Sequence, residues 1–264
     1  TCTIFVPKAA PKAKLAQLLV HGADVVRVNG SYDQAFDLSL KRITENDWYS
    51  RNCAHNPLLV EGKKTAALEM AFTLTGGFED PVGELPDVVL VPVGDGCIVS
   101  SVCKGFAELK VMGLIDKTPR VIGVQAAGAA PLAKAWAKAD GADLNGREIL
   151  EAVKTVKAKT LADSISVGVP RNRVKAWRWV ASSGGGFVAV TDEAIVEAIG
   201  LLGRLAGIFA EPSGATGLAG VLAAREAGLI GAGDKVAVLV TGSGLKDPDV
   251  ALKRIKMPRP VKPA

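Results

Sequence analysis

Histidine is nearly missing from this chain. Of 264 residues only His21 and His55 carry an imidazole, which leaves little material for a zinc site or a histidine-centred catalytic triad. Cysteine is scarce as well. Cys2, Cys53, Cys97 and Cys103 form neither a CxxC pair nor a short secreted framework, so the expectation is reduced thiols and no metal site. Aromatic residues make up 5% of the chain, which suits close helix-on-sheet packing better than an all-β sandwich. No stretch approaches the roughly 20 uninterrupted apolar residues of a membrane-spanning helix. The N-terminus also lacks the basic-then-apolar plan of a signal peptide, so the reading is a cytoplasmic protein with no membrane partner. The formal charge of +5 comes from scattered lysines and arginines without interleaved stacking aromatics, which argues against a nucleic-acid partner. An anionic small ligand accounts for the balance equally well. The dense basic run Lys253 to Lys262 is laced with Pro258 and Pro260 and reads as a solvated tail.

What is present is an apolar majority rich in Ala, Val, Leu and Gly, with 48% hydrophobic and 22% charged residues, enough to bury a substantial core. β-rich runs alternate with amphipathic segments from the start: Thr3 to Val6, Pro11 to His21, Asp24 to Asn29, Tyr32 to Thr44. That rhythm predicts an α/β protein with open, mostly parallel sheets flanked by helices. A short strand over Trp48 to Asn52 and the turn signal Asn56-Pro57 precede a helix from Glu61 to Thr75, so a boundary falls there, separating a small unit 1–54 from a larger unit 55–264. Asp87 to Val93 is an unbroken Val/Leu run and reads as a strand covered on both faces. There follow a helix Ser100 to Met112, a strand Arg120 to Gln125, a helix Leu132 to Ala139 and a looser segment from Asp140 to Arg173. Ser182 to Gly186 reads as a flexible turn before the strand Phe187 to Val190. Thr191 then caps a helix, and the last elements are a helix Thr216 to Ala227 and a strand Lys235 to Thr241.

Chemistry points first to Gly94-Asp95-Gly96-Cys97-Ile98, set between the buried strand and a helix. Backbone N–H groups at such a helix start can bind phosphate without basic side chains, and glycines let the backbone come close. The loop is neither a P-loop nor a full dinucleotide fingerprint, because Val99 stands where a third glycine is required. Thr241-Gly242-Ser243-Gly244 follows another buried strand and offers a hydroxyl at the same edge. Glu211-Pro212-Ser213-Gly214-Ala215 places an acid ahead of a helix in an otherwise apolar run. Cys97 is either a thiol activated by its helix N-terminus or a packed small residue. His55 is either an acid/base group or a turn histidine.

The stretches Glu61-Gly62-Lys63-Lys64-Thr65, Val91 to Cys97, Ile208 to Ala215 and Leu239 to Pro248, in this order and at this spacing, resemble the fold-type II pyridoxal-phosphate enzymes of the tryptophan synthase β-like superfamily. Within that group they are most similar to threonine synthases. The resemblance implies pyridoxal 5'-phosphate as cofactor, its phosphate on the backbone of Gly94, Asp95, Gly96, Cys97 and Ile98, and Thr241 hydrogen-bonded to the pyridine nitrogen. Glu211 would line the site. A neutral hydroxyl partner leaves the ring a milder electron sink, suited to β- and γ-elimination or replacement on a small amino acid. A homodimer is also implied.

Two departures qualify the resemblance. In the family a lysine in the N-terminal part of the chain holds the cofactor as a Schiff base, and a Ser-Gly-Asn-Thr-type loop holds the ring oxygen. Here Thr1 to Pro7 resembles the second strand of the small domain, beyond both, so no catalytic residue is assigned. The expectation is a fragment, a lysine supplied by another polypeptide, or a non-catalytic scaffold. The second departure is at the substrate. Threonine synthases meet a substrate phosphate with polar residues ahead of an Asn-Pro-x-Arg motif, that arginine, and an asparagine closing the glycine-rich loop. Cys53, Ala54, Leu59 and Ile98 occupy these positions, and apolar side chains do not replace a bidentate guanidinium for a dianion. A non-phosphorylated substrate, as in a hydroxyamino-acid deaminase or a β-replacing synthase, is the alternative.

Overall fold

The computed structural model describes residues 1–78, 83–141, 143–252 and 258–261. Strands are interleaved with helices, and among the described residues all the strands named below pair in parallel. Strand β1 (Thr3–Pro7) pairs with β2 (Asp24–Val28) across helix α1 (Lys12–Val20), and α2 (Tyr32–Asn46) closes this first unit against β1. Ser31 and Gln34 form a capping box at the start of α2, each satisfying a backbone N–H that the helix leaves free. Asp47 ends the helix in the left-handed region at φ 53°.

The strand expected at Trp48 to Asn52 is absent. That stretch is spent on caps instead. Asn56 accepts the N–H of Leu58 and donates its amide to the Tyr49 hydroxyl (2.6 Å) and the Ser50 carbonyl (3.0 Å). With its cap at Asn56 and Pro57 in the first turn, α3 (Pro57–Thr75) begins earlier than its apolar periodicity suggested.

The larger sheet has the order β5-β4-β3-β6. Its strands are β3 (Val88–Pro92), β4 (Arg120–Ala126), β5 (Gly186–Val190) and β6 (Val236–Val238). All five residues of β3 are buried, and the reason is geometric. Val89 and Val91 face one layer, with α3, α4 (Cys97–Val111) and α7 (Arg173–Ser182), in a cluster that includes Ala67, Phe106 and Trp177. Val88 and Leu90 face the other, against α8 (Asp192–Ala206) and α9 (Pro212–Glu226), with Ile122, Ile195 and Ala224. A strand covered on both faces has no use for alternation. Between these helices, α5 (Pro131–Ala139) packs on β4 and β5, and the short α6 (Gly146–Ala152) is capped by Asn145 within the segment read as loose. The chain continues to α10 (Pro248–Leu252).

Helices α4 and α9 start earlier than expected, at Cys97 and Pro212, and β6 pairs over fewer residues than the run Lys235 to Thr241. The basic tail falls largely outside the described residues. Among those described, no helix is long and apolar enough to cross a membrane.

Candidate functional site

Parallel strands place their C-terminal loops at one edge, and the two glycine-rich loops meet there. β3 and β6 are neighbouring parallel strands, registered Val88 with Val236 through Leu90 with Val238, and the chain after β6 runs on to Thr241 at the same end. Both loops therefore leave the same edge on adjacent strands, which is where open α/β sheets hold ligands.

The loop Gly94 to Ile98 presents unused backbone donors at the start of α4. The N–H groups of Asp95, Gly96, Cys97 and Ile98 have no acceptor among the described residues, although Gly96 and Cys97 are buried and Ile98 half-buried. Buried backbone donors are almost always paired, so four unpaired N–H groups at a helix start fit a bound phosphate. Their arrangement depends on Gly96, which takes φ 88°, and a Cβ there would stand 2.8 Å from the Ala176 Cβ. Ile98 packs against the main core cluster.

Asp95 looks misplaced beside an anion, and its contacts explain why it is tolerated. One carboxylate oxygen accepts the Tyr32 hydroxyl at 2.6 Å, and the other accepts the Arg171 N–H at 3.1 Å. Burial, then the charge of Asp95, pushes the Tyr32 pKa far above the ordinary phenol value, so the phenol remains a neutral donor. The Arg171 guanidinium pairs with Asp33, donates to the Val169 carbonyl (2.9 Å) and lies 4.3 Å from the Phe36 ring centroid. Asn172 holds the loop from beneath. Its N–H donates to the Asp95 carbonyl (3.0 Å) and its amide to the Gly96 carbonyl (3.2 Å) and the Ser100 hydroxyl (2.7 Å). Sequence reasoning missed Tyr32, Arg171 and Asn172. Nothing local marks them, because their partners lie far off in the chain.

Cys97 is buried, and the neighbouring Cys53 thiol followed by burial pushes its pKa up, which argues against the activated-nucleophile reading at that position. The acidic thiol is Cys53. The neighbouring Cys97 thiol and the Lys63 ammonium, 3.1 Å from the Cys53 sulfur, lower its pKa below the ordinary thiol value against the opposing effect of burial. His55 lies in the turn before α3 with its ring 5.7 Å from that of Phe36, as a turn histidine would.

Thr241 is exposed at the sheet edge. Glu211 is 3% exposed; its N–H donates to the Gly242 carbonyl (2.8 Å), and its carboxylate accepts the Ser164 hydroxyl (3.3 Å) and pairs with Lys14 (3.5 Å) and Lys246 (3.8 Å). One oxygen, Oε2, has no hydrogen bond. Gly242 has no room for a side chain, since a Cβ would lie 2.1 Å from Glu211 Oε1.

A parallel sheet whose carboxyl edge carries two glycine-rich loops, one at the start of a helix, places the chain among α/β proteins with an open parallel sheet. Comparison with known proteins makes this specific. The profile of the pyridoxal-phosphate dependent enzymes matches residues 1–242, and the chain belongs to that family. It is 36% identical over 262 residues to threonine synthase of Mycobacterium tuberculosis, covering 99% of this chain and 66% of that protein. It is 37% identical over 258 residues to threonine synthase of Methanocaldococcus jannaschii, covering 97% of this chain and 60% of the other. Among solved structures, diaminopropionate ammonia lyase from Escherichia coli shares the fold, with a TM-score of 0.72 at 18% identity, covering 96% of this chain and 64% of that one.

Proposed function

We propose that this chain carries the phosphate-binding core of a pyridoxal-phosphate-dependent lyase or synthase of threonine synthase type, acting by β- or γ-elimination or replacement on a small amino acid. The observation that carries the reading is the set of unpaired N–H groups from Asp95 to Ile98 at the start of α4, on the sheet edge that the chain beyond β6 also leaves. In this reading the N–H groups and the positive end of α4 hold the cofactor phosphate, and the Thr241 hydroxyl addresses the ring nitrogen. Glu211 lines the opposite side from the start of α9. When bound, pyridoxal phosphate supplies an electron sink for the carbanion formed at the amino-acid α-carbon. The chain's own residues orient it, and Asn172 and Arg171 fix the cradle from which it is held. Residues 1–54 would form a small unit and 55–264 the cofactor-binding unit.

Leu59 and Ile98 favour a second reading of the substrate. The position that would clamp a phosphate dianion with a guanidinium is apolar, so a non-phosphorylated hydroxyamino acid is the better fit.

Equilibrium dialysis tests the cofactor site. Pyridoxal 5'-phosphate should be retained at one equivalent, inorganic phosphate should compete, and pyridoxal should bind at least about tenfold more weakly, because it cannot use the charged hydrogen bonds. Equal binding of both compounds would overturn the cradle. Assay of threonine, serine and O-phosphohomoserine with the full-length polypeptide separates the substrate readings: threonine formation from O-phosphohomoserine refutes the argument from Leu59 and Ile98, and 2-oxobutyrate or pyruvate release supports it.

A further inference from the structure

We propose that a cavity at the amino edge of the main sheet is a second ligand site, and that it takes a zwitterionic amino acid with a bulky apolar side chain. The cavity has a volume of about 1120 Å³, the scale of sites that enclose small molecules. Its walls are the C-terminal ends of α5 and α7, the start of α6 and the residues that lead into β5. Because the strands are parallel, the beginning of β5 lies at the edge opposite the loops that hold Gly94 and Thr241. The site is therefore separate from the one described above, and it does not depend on what those loops bind.

Three kinds of surface meet in it. One wall is aromatic: the half-buried Trp136 ring stands 4.7 Å from Trp177 and 5.5 Å from Phe187, centroid to centroid, and Leu144 extends the apolar surface. Gly141 keeps that ring within reach, since it takes φ 69° and a Cβ there would lie 3.5 Å from the indole. The second surface is a pair of donors. Neither the Trp136 indole N–H nor the Arg178 guanidinium has a hydrogen-bond or ion-pair partner among the described residues, and the guanidinium extends to the start of α6, where its NH2 would be 3.8 Å from a Cβ on Gly146. The third is a pair of acceptors. Asp140 and Asp143 are unpartnered in the same way, whereas Glu148 on the same rim is engaged in the α6 cap, accepting the Asn145 N–H at 2.7 Å. Opposite charges around one cavity attract, yet Arg178 pairs with neither aspartate, so both signs stay available to a molecule between them. A carboxylate suits the guanidinium and the indole N–H. An ammonium suits the aspartates, and an apolar side chain suits the Trp136 ring. A zwitterion with such a side chain uses all three surfaces at once.

Titration of the full-length polypeptide with L-phenylalanine, followed by tryptophan emission without added cofactor, tests the site. A saturable change is expected. Two analogues, 3-phenylpropionate without the amine and phenethylamine without the carboxylate, should each bind at least about tenfold more weakly, because each gives up a charged hydrogen bond. Arg178→Met should weaken L-phenylalanine and 3-phenylpropionate by about tenfold and leave phenethylamine unchanged. The double variant Asp140→Asn, Asp143→Asn should show the opposite pattern. All three side chains are exposed, so the variants should keep the parent melting temperature, and circular dichroism checks that they do. No saturable change up to about 20 mM, equal binding of the three compounds, or a response that both variants leave intact would overturn the proposal. The last outcome would place the amino acid at the other edge of the sheet. Pyridoxal-phosphate retention in dialysis should be the same in parent and variants, and the emission data decide the amino-edge site whether or not that cofactor is retained.

Discussion

Arg171→Met removes one charge from the contact between α2 and the segment that carries Asn172. The guanidinium is 12% exposed and the Asp33 carboxylate 23%, so the pair sits between the surface case, worth under about 1 kcal/mol, and the fully buried one. Its NH1 group reaches Asp33 and the Val169 carbonyl, and NH2 reaches the Asp33 carbonyl at 3.3 Å. Hydrogen bonds to charged groups contribute about 1.5–3 kcal/mol each when shielded. Stacking over Phe36 adds roughly 1 kcal/mol, of which methionine keeps the dispersive part. Discounting for the partial exposure of Asp33, the loss comes to about 3 kcal/mol, or roughly 6–12 °C in Tm for a chain of this size. Part of that loss is the penalty of leaving Asp33 unpaired. Asp33→Asn in the Arg171→Met background therefore recovers about 1 kcal/mol, as a double-mutant cycle registers for coupled neighbours. Urea unfolding followed by the fluorescence of Trp136 and Trp177 measures both values. A loss below about 0.5 kcal/mol with no recovery would show that this cluster behaves as a solvated surface pair and that the contact to α2 is not held by it.

Other perturbations follow from the same geometry. Gly96→Ala forces an L-residue to φ 88° with its Cβ 2.8 Å from that of Ala176; it should cost about 2 kcal/mol and weaken pyridoxal-phosphate retention in dialysis, and unchanged retention would refute the role of this loop. Thr241→Val, at an exposed position, should alter stability by less than about 0.5 kcal/mol while shifting the absorption band of the bound cofactor; an unaltered spectrum refutes the contact with the ring nitrogen. Glu61 is held at about 2, first by Lys104 and then by Lys64, against an ordinary value of 4.5. A depressed folded-state pKa stabilises above the unfolded value and the gain is lost as pH falls from 4.5 toward 2. Lys104→Met should flatten the fall in urea midpoint across that window, and parallel curves for parent and variant would exclude this cluster as the cause.

The main sheet was legible because its signals are local. An unbroken run such as Val88 to Val93 needs no partner to be recognised as buried, and a strand-to-helix loop with two glycines states its own geometry. The same locality misled the reading at Trp48 to Asn52, where β-propensity was outweighed by the capping needs of Asn56. Helix starts at Cys97 and Pro212 were missed because first turns carry sheet-edge function and lack the apolar periodicity of the helix body. The Asp140 to Arg173 stretch was read as loose for want of periodicity. In the structure Ile165 and Val167 lie against Gly94, and Asn172 holds the loop, contacts that span more than 70 positions of sequence.

The electrostatics of the sheet edge shows why that long-range segment matters to an anion. Asp95 lies in the loop itself and Glu211 precedes α9, linked to Ser164 of the segment against Gly94, and either would repel a phosphate if left alone. Arg171 and the Tyr32 hydroxyl engage the first, and Lys14 and Lys246 offset the second. Lys14 also bonds Asp163 (3.0 Å) and the Ser164 hydroxyl (2.7 Å), as Arg171 bonds Asp33. Helices α1 and α2 are thus both fastened to the segment 163–171 that overlies Gly94. The cations that neutralise the carboxylates are the same ones that tie the first unit down over the cradle. A phosphate placed at the row of N–H groups and the positive end of α4, as proposed, would meet a favourable field because Asp95 and Glu211 already have partners.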